Sequence, residues 1–453
     1  MTMNSRSPRP HIVFVFSDQW RGQAFGFAGD PNARTPHTDA FAAQPIHFPN
    51  AVSDCPVCSP YRASLLSGRY PLAHGIIVND QPLRHVPGGS LADHLNAAGY
   101  DTLWIGKWHL HSGGRRRFVL PEHRLGFRFW RGYECTHDYQ HSFFFADTPE
   151  PLLWKGYDAQ AQTDLACTEI EARAHGRHPF ALFLSWGPPH NPYDTAPEPF
   201  RSLFPTDTLR LAPNVPPGSA ETARTDLAGY YAHGAALDAC FGRLLDALDA
   251  QGIADRTVVI FTSDHGDMHG AQGRFRKQWP FEESIRVPFL LRWPAGLGTT
   301  PRTFLCPIDA PDLMPTILGL LRRPIPPQCQ GRNWAPLLRG EAPDEPDTPA
   351  PLSCYCPFHE LHRSPDALEY RGLRTAQTVY VERPDGPWLL FDIQRDPFQL
   401  RNLVAEVPRD LIADLHRRLH ALLTAIGDVF EPGPDLLRRY HVRLNEQGDV
   451  FYE

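Results

Sequence analysis

The sequence predicts an α/β protein with a large, mostly parallel central sheet flanked by helices, followed by a smaller C-terminal α+β subdomain containing an antiparallel sheet. Three observations lead there. Short apolar runs of strand character end abruptly in polar clusters and alternate with helical segments, as in a parallel sheet covered on both faces. Beyond a Pro-rich, acidic stretch at 338–353 the pattern changes to closely spaced strands and one further helix. The 453 residues are 42% hydrophobic and 21% charged, ordinary for a globular chain, and at about 150 residues per domain they make two or three units. The division expected is 1–340 for the α/β unit and 350–453 for the C-terminal one.

HIVFVFS (11–17) is a β-rich apolar run that ends at Asp18, the pattern of a buried strand. SLADHLNAAGY (90–100) has a serine to cap a helix and a glycine to stop it, and DTLWIGK (101–107) follows as a strand. FALFLSW (180–186) and TVVIFTS (257–263) are two more strands. Between them, Leu227, Tyr230, Leu237, Phe241, Leu244, Leu245 and Leu248 recur at helical spacing over 221–251, and Gly252 ends the helix. LRGEAPDEPDTPAPLS (338–353) reads as a linker. YRGLRTAQTVYVERPDGPWLLFDIQRDP (370–397) reads as an antiparallel meander, and a helix over 408–423 carries Leu411, Leu415, Leu419 and Leu422 as its stripe.

Composition narrows the function classes. With 44 basic against 51 acidic residues the formal charge is −7, so no basic excess exists for nucleic acid or an anionic membrane. The longest apolar runs, Ile12–Phe16 and Phe180–Leu184, fall far short of the ~18 residues that span a bilayer. MTMNSRSPRP, with Arg6 and Arg9, runs straight into the first strand without a leader-like apolar region. A cytoplasmic location is the expectation, and nine scattered cysteines suit reduced thiols better than a disulfide framework. Only three of the 44 basic residues are lysines, Lys107, Lys155 and Lys277. A lysine that survives an arginine-dominated composition is a candidate for work needing a compact point charge.

Three polar clusters sit where strands should end: SDQ (17–19), GKWH (106–109) and SDHGD (263–267). Ligands of open parallel sheets bind outside the carboxyl ends of strands. Asp18, Gln19, Asp264 and His265 are therefore candidates to converge on one hard or intermediate divalent cation such as calcium, magnesium or manganese. The competing reading makes them turn residues, where Asp and Gly belong. In DCPVCSPYRASLLSGRY (54–70), Cys58 precedes a helix start at Ser59-Pro60. There a thiolate and an anion are both favoured. Cys55-Pro56-Val57-Cys58 is also a C-x-x-C redox pattern, and two inert buried thiols are a third possibility.

CSPYRASLLSGR resembles the C-x-P-x-R motif of the sulfatase family, and SDQWRGQAFG, TPHTDAFA, GYDTLWIGKWHL, WGPPHNPY, VIFTSDHGDMHG, Lys277 with FEESIRVPFLLRWP, and LFDIQRDPFQLRNL agree with the family in order and spacing. The resemblance covers nearly the whole chain and implies an alkaline-phosphatase-like fold and hydrolysis of a sulfate monoester, on an aryl or a sugar group. It implies that Cys58 is oxidised to formylglycine by a transiently bound formylglycine-generating enzyme, for which Cys58, Pro60 and Arg62 are intact; Tyr61 stands where the family usually has Ser. A hydrated aldehyde is a gem-diol: one oxygen can attack sulfur while the other later lets the adduct collapse, which expels sulfate without attack of water on sulfur.

The resemblance further implies one divalent metal, calcium first and magnesium or manganese otherwise, held by Asp18, Gln19, Cys58, Asp264 and His265. Many relatives have Asp at the Gln19 position and Asn at the His265 position. Arg62 would hold the diol, and Lys107 and Lys277 would clamp sulfate oxygens. His109 would hydrogen-bond the diol and act as base in release, and His190 would protonate the leaving group. Two other functions compete: a phosphonate monoester or phosphodiester hydrolase of the same superfamily, since both substrates are tetrahedral anions, and an unmodified, non-catalytic anion-binding protein. The partner expected is a small-molecule sulfate ester, and the segments expected to roof the pocket are 112–145 and 354–370.

Overall fold

The computed structural model describes residues 9–451 except Pro45 and Pro365; the stretch bearing Arg6, on which the leader reading rests, lies outside the described residues. In chain order the strands are β1 (His11–Asp18), β2 (Ile46–His47), β3 (Asp101–Lys107), β4 (Phe129–Tyr133), β5 (Phe143–Phe144), β6 (Leu152–Leu153), β7 (Phe180–Pro189), β8 (Thr257–Ser263), β9 (Phe289–Arg292), β10 (Arg302–Thr303), β11 (Ala350–Cys354), β12 (Tyr370–Arg374), β13 (Thr378–Arg383) and β14 (Gly386–Asp392). Eight of them form one sheet in the order β10-β2-β9-β8-β1-β7-β3-β4. It is parallel throughout except for β9, which runs against both neighbours. This is the α/β architecture expected, with its mostly parallel central sheet.

The pleat explains why β1 is apolar at every step. Ile12, Phe14 and Phe16 face one layer, with Leu65 and Leu66 of the Cys58–Ser67 helix, Leu91 and Leu95 of the Leu91–Ala97 helix, and Leu313 and Ile317 of the Ala310–Leu320 helix. Val13 and Val15 face the other layer, with Leu227, Leu237, Phe241, Leu244 and Leu248 of the Ala220–Ala250 helix and Ala166 and Ile170 of the Asp158–Arg173 helix. A strand buried on both faces has no polar side to show. Leu245 is only half-buried, at the edge of that stripe.

The second sheet is an antiparallel meander, β11-β12-β13-β14. One face lies against Met268, Trp279, Phe281 and Ile285 of the large unit; the other, through Leu373, Tyr380 and Leu390, lies against the Arg409–Ile426 helix. Two expectations change here. The last residues of the 338–353 stretch are not linker but β11, pinned to the large unit where Ser353 N donates to the Asp54 carbonyl at 2.7 Å; the proline-rich composition masks a strand of five residues. The buried helix stripe is Leu415, Leu419, Leu423 and Ile426, with Leu422 half-buried against the same cluster, whereas Leu411 in the first turn is exposed. Among the described residues, no helix is long and apolar enough to cross a membrane, and all nine cysteines are free thiols.

Candidate active site

Neighbouring parallel strands β8, β1, β7 and β3 all end on one edge of the sheet. Their ends carry Asp264 and His265, Asp18 and Gln19, His190, and Lys107 and His109. Gln19 and His109 have left-handed φ values of 72° and 58°, each a strain of order 1 kcal/mol for a residue with a Cβ. The chain accepts that strain where it must turn sharply off a strand and keep the side chain at the edge. Cys58 arrives from the opposite direction, as the first residue of the Cys58–Ser67 helix, whose positive end faces the same spot. The turn-residue and redox-pair readings both yield to this arrangement: Cys55 packs with Val57, Ile77 and Tyr355 in a separate apolar cluster.

Donor atoms of Asp18, Cys58, Asp264 and His265 all lie within 4.8 Å of one another, and all four residues are buried. Cys58 Sγ is 3.3 Å from His265 Nε2 and 3.6 Å from Asp18 Oδ1. His265 donates from Nδ1 to the Gly266 carbonyl at 2.9 Å, which turns the Nε2 lone pair into the cluster. Two carboxylates and an imidazole nitrogen fit a divalent cation. Gln19 contributes differently. Its Nε2 donates to Asp267 Oδ2 at 2.6 Å and to Tyr193 OH at 3.1 Å. That leaves Oε1 facing the site, 3.4 Å from Lys277 Nζ.

Three buried cations balance this floor. Arg62 Nη2 donates to Asp18 Oδ2 and Asp264 Oδ2, both at 3.1 Å, and Nη1 donates to the Lys107 carbonyl at 2.8 Å and Ser185 Oγ at 2.7 Å. Lys107 Nζ sits 2.6 Å from Asp18 Oδ2 and 3.7 Å from Cys58 Sγ. Lys277 Nζ sits 3.2 Å from the same sulfur and 3.0 Å from His190 Nε2. Lys155 is exposed and takes no part. Burial alone would disfavour a thiolate and Asp18 also opposes it, yet Lys107, Lys277 and His265 hold the Cys58 thiol well below its ordinary range. Burial and the Asp18 charge push Asp264 up to about 6.

The two histidines differ in kind. Burial and the Lys277 ammonium keep His190 well below the usual imidazole range, and its Nδ1 is tied to the Asn191 carbonyl at 2.8 Å. His109 is raised to about 10: burial opposes its charge, but Cys135 and Asp80, whose carboxylate lies 2.9 Å from Nε2, prevail. The other nitrogen, Nδ1, is buried without a hydrogen-bond partner. Cys58, Gln19, Lys107, His109, His190 and Lys277 all line one cavity of 490 Å³. Its outer wall comes from Arg115, Cys135 and His137, from His359, Glu360 and Arg363, and from Asp449 and Val450.

Sequence reasoning did not single out Asp80, Tyr193 or Asp267. Asp267 stands inside the SDHGD cluster, two residues beyond His265; Asp80 has no motif around it and is found only by its contact with His109. His269, two residues beyond Asp267, packs among Tyr193 and Tyr230, away from the cavity wall.

Comparison with known proteins places the chain in a family. A family profile described as Sulfatase matches residues 10–322, and one described as N-sulphoglucosamine sulphohydrolase, C-terminal, matches residues 270–425. The ulvan-active sulfatase of Formosa agariphila is 39% identical over 93% of this chain and 83% of its own. The endo-4-O-sulfatase of Bacteroides thetaiotaomicron is 30% identical over 93% of both chains. A solved Bacteroides thetaiotaomicron chain, from work on glycosaminoglycan metabolism, superposes with a TM-score of 0.83 at 27% identity, covering 95% of this chain and 99% of that one.

Proposed function

The chain belongs to the sulfatase family and is a hydrolase of sulfate esters, and from that premise we propose that it cleaves a sulfated saccharide with a formylglycine formed at position 58 and one bound divalent cation. The observation that carries this is the sulfur of Cys58 seated between two carboxylates, an imidazole and two ammonium groups in one cavity. That sulfur stands in for an oxygen of the hydrated aldehyde. Formation of the aldehyde requires a generating enzyme to bind the chain transiently.

Asp18, Gln19, Asp264, His265 and residue 58 would hold the cation, calcium by preference for this oxygen-rich set, with magnesium and manganese as alternatives. When bound it polarises the sulfate and favours an ionised hydroxyl at residue 58. Residue 58, once oxidised, offers one hydroxyl to attack sulfur and a second whose deprotonation releases sulfate by C–O cleavage. Arg62 fixes Asp18 and Asp264 relative to the helix that delivers residue 58. Lys107 and Lys277, flanking that position, receive the sulfate oxygens as charge develops on them. The proton for the departing alkoxide comes from the His190–Lys277 pair, in which Nζ already donates to Nε2. Cys135 and Asp80 keep His109 charged, so this ring donates from Nδ1 to an oxygen on residue 58, and it serves as base in release only once it has given a proton to solvent.

A saccharide is supported by the wall of the cavity. Arg115, Arg276 and Arg363, with His137, His359, Glu360 and Asp449, present a polar, charged rim that, among the described residues, holds no Phe, Tyr or Trp for an aryl group. The relatives named above are described as acting on ulvan and as an endo-4-O-sulfatase. The test has two parts. Peptide mass analysis across 54–70 is expected to show sulfur replaced by oxygen at residue 58. Rates on sulfated sugars, an aryl sulfate and an aryl phosphonate monoester should rank sulfate first; a faster phosphonate reaction, or a Cys58→Ala variant with full turnover, overturns the reading.

A further inference from the structure

Far from the cavity, on the C-terminal unit, three groups meet with no part in the chemistry above. Glu382, at the end of β13, is buried, and its carboxylate is fixed by Tyr380, whose hydroxyl donates to Oε1 at 2.6 Å. Two imidazoles close on it from the Arg409–Ile426 helix. His416 Nδ1 lies 2.8 Å from Oε1 and His420 Nε2 lies 3.1 Å from Oε2. The two histidines are four residues apart, so they occupy one face of the helix on successive turns. Their ring centroids are 4.1 Å apart, and the three donor atoms fall within 4.8 Å of one another.

We propose that Glu382, His416 and His420 form a second metal site, for a borderline divalent ion of the zinc class. Two imidazole nitrogens and one carboxylate oxygen are the donor set such ions prefer over the oxygen-only sets of calcium and magnesium. Ligands of a tetrahedral zinc ion sit about 3.3 Å apart, given bond lengths of about 2.0–2.1 Å. Each ring nitrogen is already 2.8 or 3.1 Å from its own carboxylate oxygen and the three donor atoms are within 4.8 Å of one another, so side-chain shifts bring them to that spacing, with the metal replacing the ring protons that now bridge the groups. His416 and His420 are 52% and 43% exposed while Glu382 is 5% exposed. The site thus has a rigid buried anchor, two ligands at the surface and solvent on the open side for a fourth ligand. Tyr380 is the outer partner that keeps the carboxylate aimed. The ion would cross-link the last long helix to the meander, so its role is to fasten the C-terminal unit.

Zinc stoichiometry tests this independently of turnover and of the state of residue 58. Metal-stripped protein is brought to saturating calcium, and zinc is then titrated by calorimetry with elemental analysis after dialysis. A Cys58→Ser variant, which lacks the soft ligand at the cavity floor, is expected to keep the zinc equivalent that His416→Ala/His420→Ala loses. Glu382→Gln, with the same shape and no charge, should bind at least tenfold more weakly. Zinc should raise the melting temperature of Cys58→Ser and leave that of the double variant unmoved. Equal zinc content in Cys58→Ser and in Cys58→Ser/His416→Ala/His420→Ala would overturn the proposal and leave the trio as two hydrogen-bonded pairs. Because both rings are at the surface, the variants should fold; His420→Gln serves as the milder substitution if the double one does not.

Discussion

The orientation of Gln19 rests on Asp267, and replacing that residue by asparagine tests the whole design of the cavity floor. Oδ1 of Asp267 accepts from the backbone N–H groups of His269 at 3.1 Å and Arg276 at 2.9 Å; Oδ2 accepts from Gln19 Nε2 and from the Tyr193 hydroxyl. Burial works against the charge, but His269 and Arg276 hold the carboxyl down at about 2, so it is an acceptor on both sides at any working pH. Asparagine has one oxygen to give. The backbone donors cannot turn round, so that oxygen stays with them and the new NH₂ faces Gln19. The Gln19 amide must then flip, which directs its own NH₂ toward Lys277 and the cation position in place of Oε1. Outer partners of this kind are worth about 10–100-fold in metal affinity or activity, or about 1.4–2.8 kcal/mol. The assay is cation affinity by calorimetry together with kcat/KM, for wild type, Asp267→Asn, Gln19→Ala and the double variant. Asp267→Asn should lose affinity by that factor and recover part of its rate at excess cation. In the Gln19→Ala background the same change should cost little, because nothing is left to misorient. An Asp267→Asn protein with wild-type cation affinity, or one whose loss is undiminished without the Gln19 amide, refutes the reasoning.

Three other outcomes follow from the same geometry. Lys277→Ala should lower kcat by about 10²–10³-fold, as removal of one developing-charge donor does elsewhere, with residue 58 still converted by peptide mass; a mere rise in KM would show that Lys277 only binds. In Asp80→Asn, His109 should fall from about 10 toward the ordinary imidazole value, so the alkaline limb of kcat/KM should move down toward neutrality; an unmoved limb would separate His109 from the reaction. Asp158 is buried in the Asp158–Arg173 helix with its carboxyl pushed up to about 8 by burial. A folded-state value above the unfolded one means stability fully present below about pH 4 and lost as pH rises through about 8. Asp158→Asn should therefore flatten the fall in melting temperature between those limits, and an unchanged slope would remove Asp158 as its cause.

The strands that build the floor were legible because their chemistry and their pattern coincide. HIVFVFS, DTLWIGK, FALFLSW and TVVIFTS are each long enough to show a strand, and each stops at the polar residue that matters. Strands β2, β9 and β10 have two to four residues, too few for any period to register, so the antiparallel insertion of β9 and the far edge of the sheet had no sequence signature. The lysine scarcity pointed to Lys107 and Lys277 and equally to Lys155; only the fold separates them, by putting the first two within 3.7 Å of one sulfur. Asp80, Tyr193 and Asp267 escaped because their importance lies in which nitrogen or oxygen they orient, a property of contact rather than of residue type.

The division of labour within the cavity follows from where its walls originate. Apart from Lys277, which comes from a loop, the groups that touch the sulfur of residue 58 come from strand ends, and residue 58 itself from a helix end, elements held by a two-layer core. Groups at the mouth come from loops and from the C-terminal unit, and they connect inward: Asp449 lies 2.7 Å from His359 Nδ1, His359 Nε2 is 3.8 Å from Asp80, and Asp80 grips His109. The C-terminal unit is thus a wall of the cavity and a source of charge on the partner of a histidine at its floor. The buried pair Arg374–Glu282, with Ser353 bound to Asp54, holds that wall against the large unit, and the buried pair Arg371–Asp428 braces the C-terminal unit internally. Substitution at Arg363 or Asp449 should accordingly change which ester is preferred while leaving the chemistry at residue 58 intact, since these side chains line the mouth of the cavity and do not contact that residue.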